Sequence, residues 1–296
     1  SEIYGMYNSS ENNIYNSFSF GTGQGATKNG SDGSIIITKS ETSSGNIIGM
    51  QGGKNLYNAY ANTSDGVNTN VRAVGKINIT HNGYGDVIGI RGTNSAGKIN
   101  NALAYLNSAV SDAVAEGSIV LSGKGNVYGI YGNGTIANSE TQFNKNYNML
   151  KDFSSHGVID VTTRSDTAAA YGIYAAGAKD TKTSVYNAMG YNSTGDIKVR
   201  NTSGGSAFGI YSAAQTYTGD DDVVYYNNTY NAFRSSAIYG DSVATGNIDM
   251  TIEGYSSLGQ QVAGIYAAGN AFNSYANSGS DVMLETIGNI TINDKS

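Results

Sequence analysis

Asp220, Asp221 and Asp222 form the densest acidic cluster of the chain. Three adjacent carboxylates supply hard oxygen donors, so Ca2+ is the one cofactor the sequence brings into view. The plainer reading of the same run is a solvated loop tip with no cofactor. Tyr217, Tyr225 and Tyr226 flank it. An acidic and aromatic segment suits a cation, a sugar face or a basic protein surface. A second group of candidate binding residues is Tyr131, Tyr174, Tyr211 and Tyr266, each closing a Gly-Ile-Tyr triplet. Tyrosine brings a large ring and a polar tip at low entropic cost. The plainer reading there is that the rings only pack over glycines and support the fold.

Catalysis finds less support. Polysaccharide cleavage needs carboxylates clustered with Arg or Lys on one face. Asp160, Lys198 and Asp249 hold equivalent positions in successive repeats and read as an alternating charge column that favours strand register. His81 and His156 are the only histidines, cysteine is absent, and no His-Glu-x-x-His run occurs, so no zinc site is expected. Gly21-Thr22-Gly23-Gln24-Gly25 lacks the spacing of a phosphate-binding loop. The chain is therefore read as no enzyme, with a carbohydrate-active β-helix enzyme as the least favoured alternative.

Composition narrows the partners. The net charge is −6 with 17 Lys and Arg and no basic run, which argues against nucleic acid. No stretch approaches the roughly 18 apolar residues of a membrane-spanning helix, so no membrane insertion is expected. Gly numbers 40 of 296 residues and Pro is absent. Apolar residues at 39 % recur in register, which separates the chain from disordered low-complexity sequence.

The elements that must position the candidate residues are written in repeats. A first motif, Gly-x-Ile-x-(Ile/Val/Leu/Met), starts at Gly33, Gly75, Gly117, Gly157, Gly195, Gly246 and Gly288. Its alternation is that of a half-buried strand. Ile35 and Ile37 face a core, and the residue between them faces out. A second motif carries Tyr128-Gly129-Ile130-Tyr131 and its six relatives from Tyr4 to Tyr266. Strict alternation predicts Tyr128 and Ile130 pointing inward together, with Tyr131 beside Gly129 on the other side. A looser third motif is Tyr-Asn-(Ala/Ser), at Tyr15, Tyr57, Tyr186 and Tyr230. Asn101-Ala102, Tyr147-Asn148 and Phe272-Asn273-Ser274 are its degenerate versions. Asparagines stacked at one position predict a side-chain amide ladder.

Seven copies at a period near 40 residues predict an all-β right-handed parallel β-helix (β-solenoid), residues 1–296 forming one domain. One unit is expected to be one three-sided rung. The alternative is a seven-bladed β-propeller. Absence of proline fits long parallel ladders. The interval from Gly209 to Gly264 is the longest between second-motif glycines, and it contains Asp220–Asp222.

The pair of motifs in Thr194-Gly195-Asp196-Ile197-Lys198-Val199 and Ala170-Tyr171-Gly172-Ile173-Tyr174-Ala175 resembles the repeats of Gram-negative type V autotransporter passenger domains. The resemblance covers the whole chain and rests on structural motifs. It implies a segment of a longer surface protein, secreted or displayed at the bacterial cell surface. It further implies a stalk acting in adhesion to cells, host or biofilm matrix. The expected partner is a host or bacterial cell-surface protein or glycan. Self-association end to end or side by side is a second expectation, consistent with a structural subunit of an extracellular filament, sheath or surface layer.

Overall fold

The computed structural model describes residues 2–10, 12–22, 27–40, 44–64, 66, 68–93, 97–108, 110–143, 152–176, 184–213, 215–216, 224–225, 228–235, 243–254, 259–277 and 284–295. Among them every regular element is a strand. Three parallel sheets of seven strands carry the fold. Face 1 stacks Ile3–Tyr7, Ile47–Gly52, Val87–Gly92, Val127–Gly132, Ala170–Ala175, Ala207–Ser212 and Val262–Ala267. Face 2 stacks Ile14–Gly21, Leu56–Thr63, Lys98–Leu106, Thr135–Phe143, Ser184–Met189, Asn228–Ser235 and Ala271–Asn277. Face 3 stacks Thr27–Lys39, Thr69–His81, Asp112–Gly123, Phe153–Thr163, Ser193–Asn201, Val243–Glu253 and Glu285–Lys295. Each unit gives one strand to each face, so one unit is one rung and the chain is a parallel β-helix of seven rungs. A propeller, with its separate four-stranded blades, is incompatible with sheets that run through all seven units.

The first motif builds face 3 in the register its spacing predicts. Gly33, Gly75, Gly117, Gly157, Gly195, Gly246 and Gly288 are cross-strand neighbours. Burial alternates along Asp112–Gly123 without a break. Ile77, Ile119, Ile159, Ile197 and Ile248 form an inward column, at most 1 % exposed. They meet Ile47, Ile90, Val127, Ile130, Ile173 and Ile210 of face 1 in the main core. Each such side chain contributes about 2 kcal/mol of transfer free energy. Ala59, Ala61, Ala102, Ala104, Ala113 and Ala115 line a narrower corner between faces 2 and 3, filled by Leu106 and Phe153.

Face 2 holds the asparagine ladder. Nδ2 of Asn16 donates to Oδ1 of Asn58 at 2.8 Å, and the same bond repeats from Asn58 to Asn101. It continues through Asn138, Asn187 and Asn231 to Asn273 at 2.8–2.9 Å. The second Nδ2 proton of Asn58, Asn101, Asn138, Asn187, Asn231 and Asn273 goes to the carbonyl of the face-3 glycine in the same rung, at 2.8–3.0 Å. Five of these asparagines are fully buried, so the ladder satisfies groups that water cannot reach. It also explains the glycine that opens the first motif. A Cβ at Gly157 would come closer than 3.0 Å to the Asn138 backbone oxygen, and equivalent clashes hold at Gly75, Gly117, Gly195 and Gly246.

One member of the third motif is corrected. Rung 4 contributes Ala137-Asn138-Ser139, because Ala137 pairs with Asn100 and Tyr186 while Ser139 pairs with Ala102 and Ala188. Tyr147 and Asn148 lie outside the described residues. The ladder needs the amide at this position, and the residue before it points away from the core, free to be Ala.

Turns into face 1 carry a second ladder. Oδ1 of Asn46 accepts from the Asp86 N–H at 3.0 Å, Asp86 Oδ1 from Asn126 N–H at 3.1 Å, and Asn126 Oδ1 from Ala169 N–H at 2.9 Å. Short Asx side chains are suited to such local backbone bonding.

Candidate functional site

The aromatic residues of face 1 are set by a slip in strand alternation. Ladder pairing runs through Val127, Tyr128, Ile130 and Tyr131 and skips Gly129. Val127 and Ile130 are both fully buried in the core, while Tyr128 and Tyr131 are partly exposed. Gly129 faces inward too, since a Cβ there would strike Ile159 Cγ2 and the Gly172 carbonyl. Strict alternation is thus wrong for this motif. Tyr128 does not accompany Ile130 into the core. The extra inward residue at the glycine puts Tyr128 and Tyr131 on one outer surface, and no tyrosine column lies beside a glycine column.

The result is two parallel files of rings. The outer file is Tyr131, Tyr174, Tyr211 and Tyr266, with centroids 5.1, 5.0 and 4.8 Å apart and ring planes within 13°. The inner file is Tyr128, Tyr171 and Phe208, at 4.9 and 5.1 Å. Across the files, Tyr128–Tyr131, Tyr171–Tyr174 and Phe208–Tyr211 meet edge to face at 5.1–5.3 Å. Each such pair contributes about 0.5–1.5 kcal/mol beyond burial. Burial pushes the Tyr171 phenol up to about 12 and raises those of Tyr128 and Tyr174 as well. The inner file is the better covered, and Tyr266 is 46 % exposed.

Stacking decides what this surface offers. Tyr174 and Tyr211 have both ring faces occupied by neighbouring rungs, so they present edges and hydroxyls. Among the described residues no hydrogen bond occupies the four hydroxyls of the outer file. Rungs 1 to 3 continue it with Tyr7, Gln51 and Arg91. Arg91 is the one formal charge on either file, and it lies 3.6 Å from Glu2.

The acidic excursion is only partly in view. Gln215–Thr216 and Val224–Tyr225 pair antiparallel, so a hairpin leaves the solenoid after face 1 of rung 6. Tyr225 belongs to that hairpin. Tyr217, Asp220, Asp221, Asp222 and Tyr226 lie outside the described residues. Among the described residues no three His, Asp or Glu gather as a metal site. Asp160, Lys198 and Asp249 are cross-strand neighbours on the outer side of face 3, as their spacing predicts.

Three polar features escaped the sequence reading. His156 Nε2 lies 2.7 Å from Asp196 Oδ2, and Asn247 Nδ2 donates to Asp196 Oδ1 at 2.7 Å. The hydrogen bond to Asp196 raises the His156 pKa, and the bond from His156 holds the Asp196 carboxyl down. Glu140, 1 % exposed, accepts from Asn100 and Gln142 and sits 3.4 Å from Lys98 on the outer side of face 2. A notch of about 350 Å³ opens at the corner between faces 2 and 3, where Arg234 lies 5.6 Å from the Tyr191 ring. Apart from Glu140 and Gln142, these partners are far apart in sequence and meet only through rung stacking. Comparison with known proteins gave no match among family models, curated proteins or solved structures.

Proposed function

We propose that this chain is a non-enzymatic β-helical stalk of a secreted or surface-displayed protein, acting in adhesion through the outer side of face 1. The observation that carries the reading is the aromatic double file. It holds seven rings over four rungs, all but the buried Phe208 at least partly exposed, and it is almost free of charge. Four rungs at about 4.8 Å repeat the same chemistry along the axis. Repetition of a weak contact is how a rigid rod gains avidity without a deep pocket. The presented groups are phenol hydroxyls and the electropositive ring edges. A matching partner offers rows of acceptors, as the hydroxyls of a cell-surface glycan or the carbonyls of a surface protein do. Autotransporter passengers, which the repeats resemble, supply the proposed setting at a bacterial surface. The test is a Tyr174→Ser, Tyr211→Ser double variant in a cell-adhesion assay, with thermal melting alongside. Loss of adhesion with the fold intact supports the reading. Unchanged adhesion with unchanged melting rejects it.

A further inference from the structure

The chain has no cysteine, so no disulfide can tie its rungs together. The outer file of face 1 places another cross-linking chemistry in register. Tyr131 pairs with Tyr174, Tyr174 with Tyr211 and Tyr211 with Tyr266 on adjacent parallel strands. Their rings stand parallel at 4.8–5.1 Å, partly exposed on the solvent side. We propose that Tyr131, Tyr174, Tyr211 and Tyr266 are a site of oxidative tyrosine coupling, at which a one-electron oxidant of the peroxidase class joins neighbouring rungs through carbon–carbon bonds.

The chemistry balances without any group from the protein itself. Each of two phenols gives one electron and one proton to the oxidant and becomes a phenoxyl radical. The radicals combine at the ring carbons ortho to oxygen, and both rings regain aromaticity by moving the displaced ring proton to oxygen. The product is two hydrogens lighter, and hydrogen peroxide taking up two electrons and two protons yields two waters. Holding both partners in place turns a bimolecular radical encounter into an intramolecular one, which raises the effective concentration by orders of magnitude.

Selectivity among 23 tyrosines follows from stacking combined with access. Tyr15–Tyr57 and Tyr186–Tyr230 are also stacked, at 5.2 and 5.1 Å, but Tyr57 is 7 % and Tyr230 8 % exposed, and the partly exposed pair Tyr15–Tyr60 stands wider, at 6.0 Å. Tyr128–Tyr171 stacks at 4.9 Å in the better covered inner file. The inner file also accepts Phe208, which has no hydroxyl to oxidise, whereas the outer file is tyrosine in all four rungs. The proposal stands independently of the adhesive role.

The test treats the full chain at low micromolar concentration with a haem peroxidase and limiting hydrogen peroxide. Dityrosine fluorescence, size-exclusion chromatography and peptide mapping by mass spectrometry are then read. The expected result is a monomeric product whose linked peptides join Tyr211 to Tyr266, Tyr174 to Tyr211 or Tyr131 to Tyr174. Tyr211→Phe keeps the ring in the stack and removes two of the three couplings. Its linked product should then be the Tyr131–Tyr174 peptide, with overall yield reduced about two- to threefold. No intramolecular dityrosine, links spread over tyrosines elsewhere, or a yield unaffected by Tyr211→Phe would each overturn the proposal.

Discussion

Asn138→Ala probes the ladder at its midpoint, where the sequence motif is weakest. The side chain makes three bonds of near-ideal length. It accepts from Asn101 at 2.9 Å, donates to Asn187 at 2.9 Å and donates to the Gly157 carbonyl at 2.8 Å. A typical intramolecular hydrogen bond is worth about 0.5–1.5 kcal/mol net, and a buried group left unpaired costs about 1–3 kcal/mol. Asn101 keeps its bond to Gly117 at 3.0 Å. The Asn187 and Gly157 oxygens lose a donor in a site with no solvent access. The expected destabilisation is about 3–4 kcal/mol, read as a shift of the urea midpoint followed by β-sheet circular dichroism. Asn78→Ala, on the exposed outer side of face 3, should stay within about 0.5 kcal/mol. A loss below about 1 kcal/mol for Asn138→Ala would refute the ladder as a stabilising element.

Three further outcomes follow. Gly157→Ala forces a methyl group against the Asn138 backbone, which cannot move without breaking the ladder, whereas Gly30 has open space around its Cα; thermal melting should show a loss above about 2 kcal/mol for the first and almost none for the second. Ile159→Ala removes a fully buried member of the main core and should cost about 2–5 kcal/mol by chemical denaturation. The two histidines should respond to pH with opposite signs. His156 has a raised pKa, so its contribution is full below its ordinary value of 6.5 and is lost as pH rises through the folded value. Asp196, held low, adds its share above 3.8 and loses it as pH falls through its folded value. His81 is lowered by burial, so stability falls as pH drops below 6.5. Melting of His156→Gln and His81→Gln at pH 5 and pH 8 should show the first losing more at pH 5. The second should show a shallower acid decline than the parent chain. The His156 effect is expected below about 1 kcal/mol because its pair with Asp196 is partly exposed.

Much of the fold was legible because rung stacking is written as spacing. The face-3 strands carry an uninterrupted two-residue period, and every glycine of the first motif took its predicted place. Face 1 was misread because a two-residue period was extended across Gly129, where alternation slips. Tyr128 and Tyr131 are three apart and share a surface, a spacing that marks the slip. Asn138 was missed because Tyr147-Asn148 nearby carries the motif's tyrosine and was assigned as the rung-4 copy. The physical demand is an inward apolar residue, then a free outward position, the amide, and a small residue. Ile136-Ala137-Asn138-Ser139 meets it, as do Leu56-Tyr57-Asn58-Ala59 and Val185-Tyr186-Asn187-Ala188. The outer tyrosine file was anticipated as a column, but its chemistry was not. Only the stacking distances reveal that the ring faces of Tyr174 and Tyr211 are occupied and that edges and hydroxyls remain. The His156–Asp196 and Lys98–Glu140 contacts join residues 40 and 42 apart, which become neighbours only once rung length is known.

The central structural claim is one rung per unit, with the same outward position recurring every step of the axis. Ile36, Asn78, Val120, Asp160, Lys198, Asp249 and Thr291 form one such column. With no native cysteine, paired spin labels can be placed there by Ile36→Cys with Thr291→Cys, and by Asn78→Cys with Asp249→Cys. Pulsed electron–electron distance measurement should give about 29 Å for six steps and about 19 Å for four. Their difference of about 10 Å is insensitive to the label tether. Distances near twice these values, or a four-step distance as long as the six-step one, would contradict a single rung per unit.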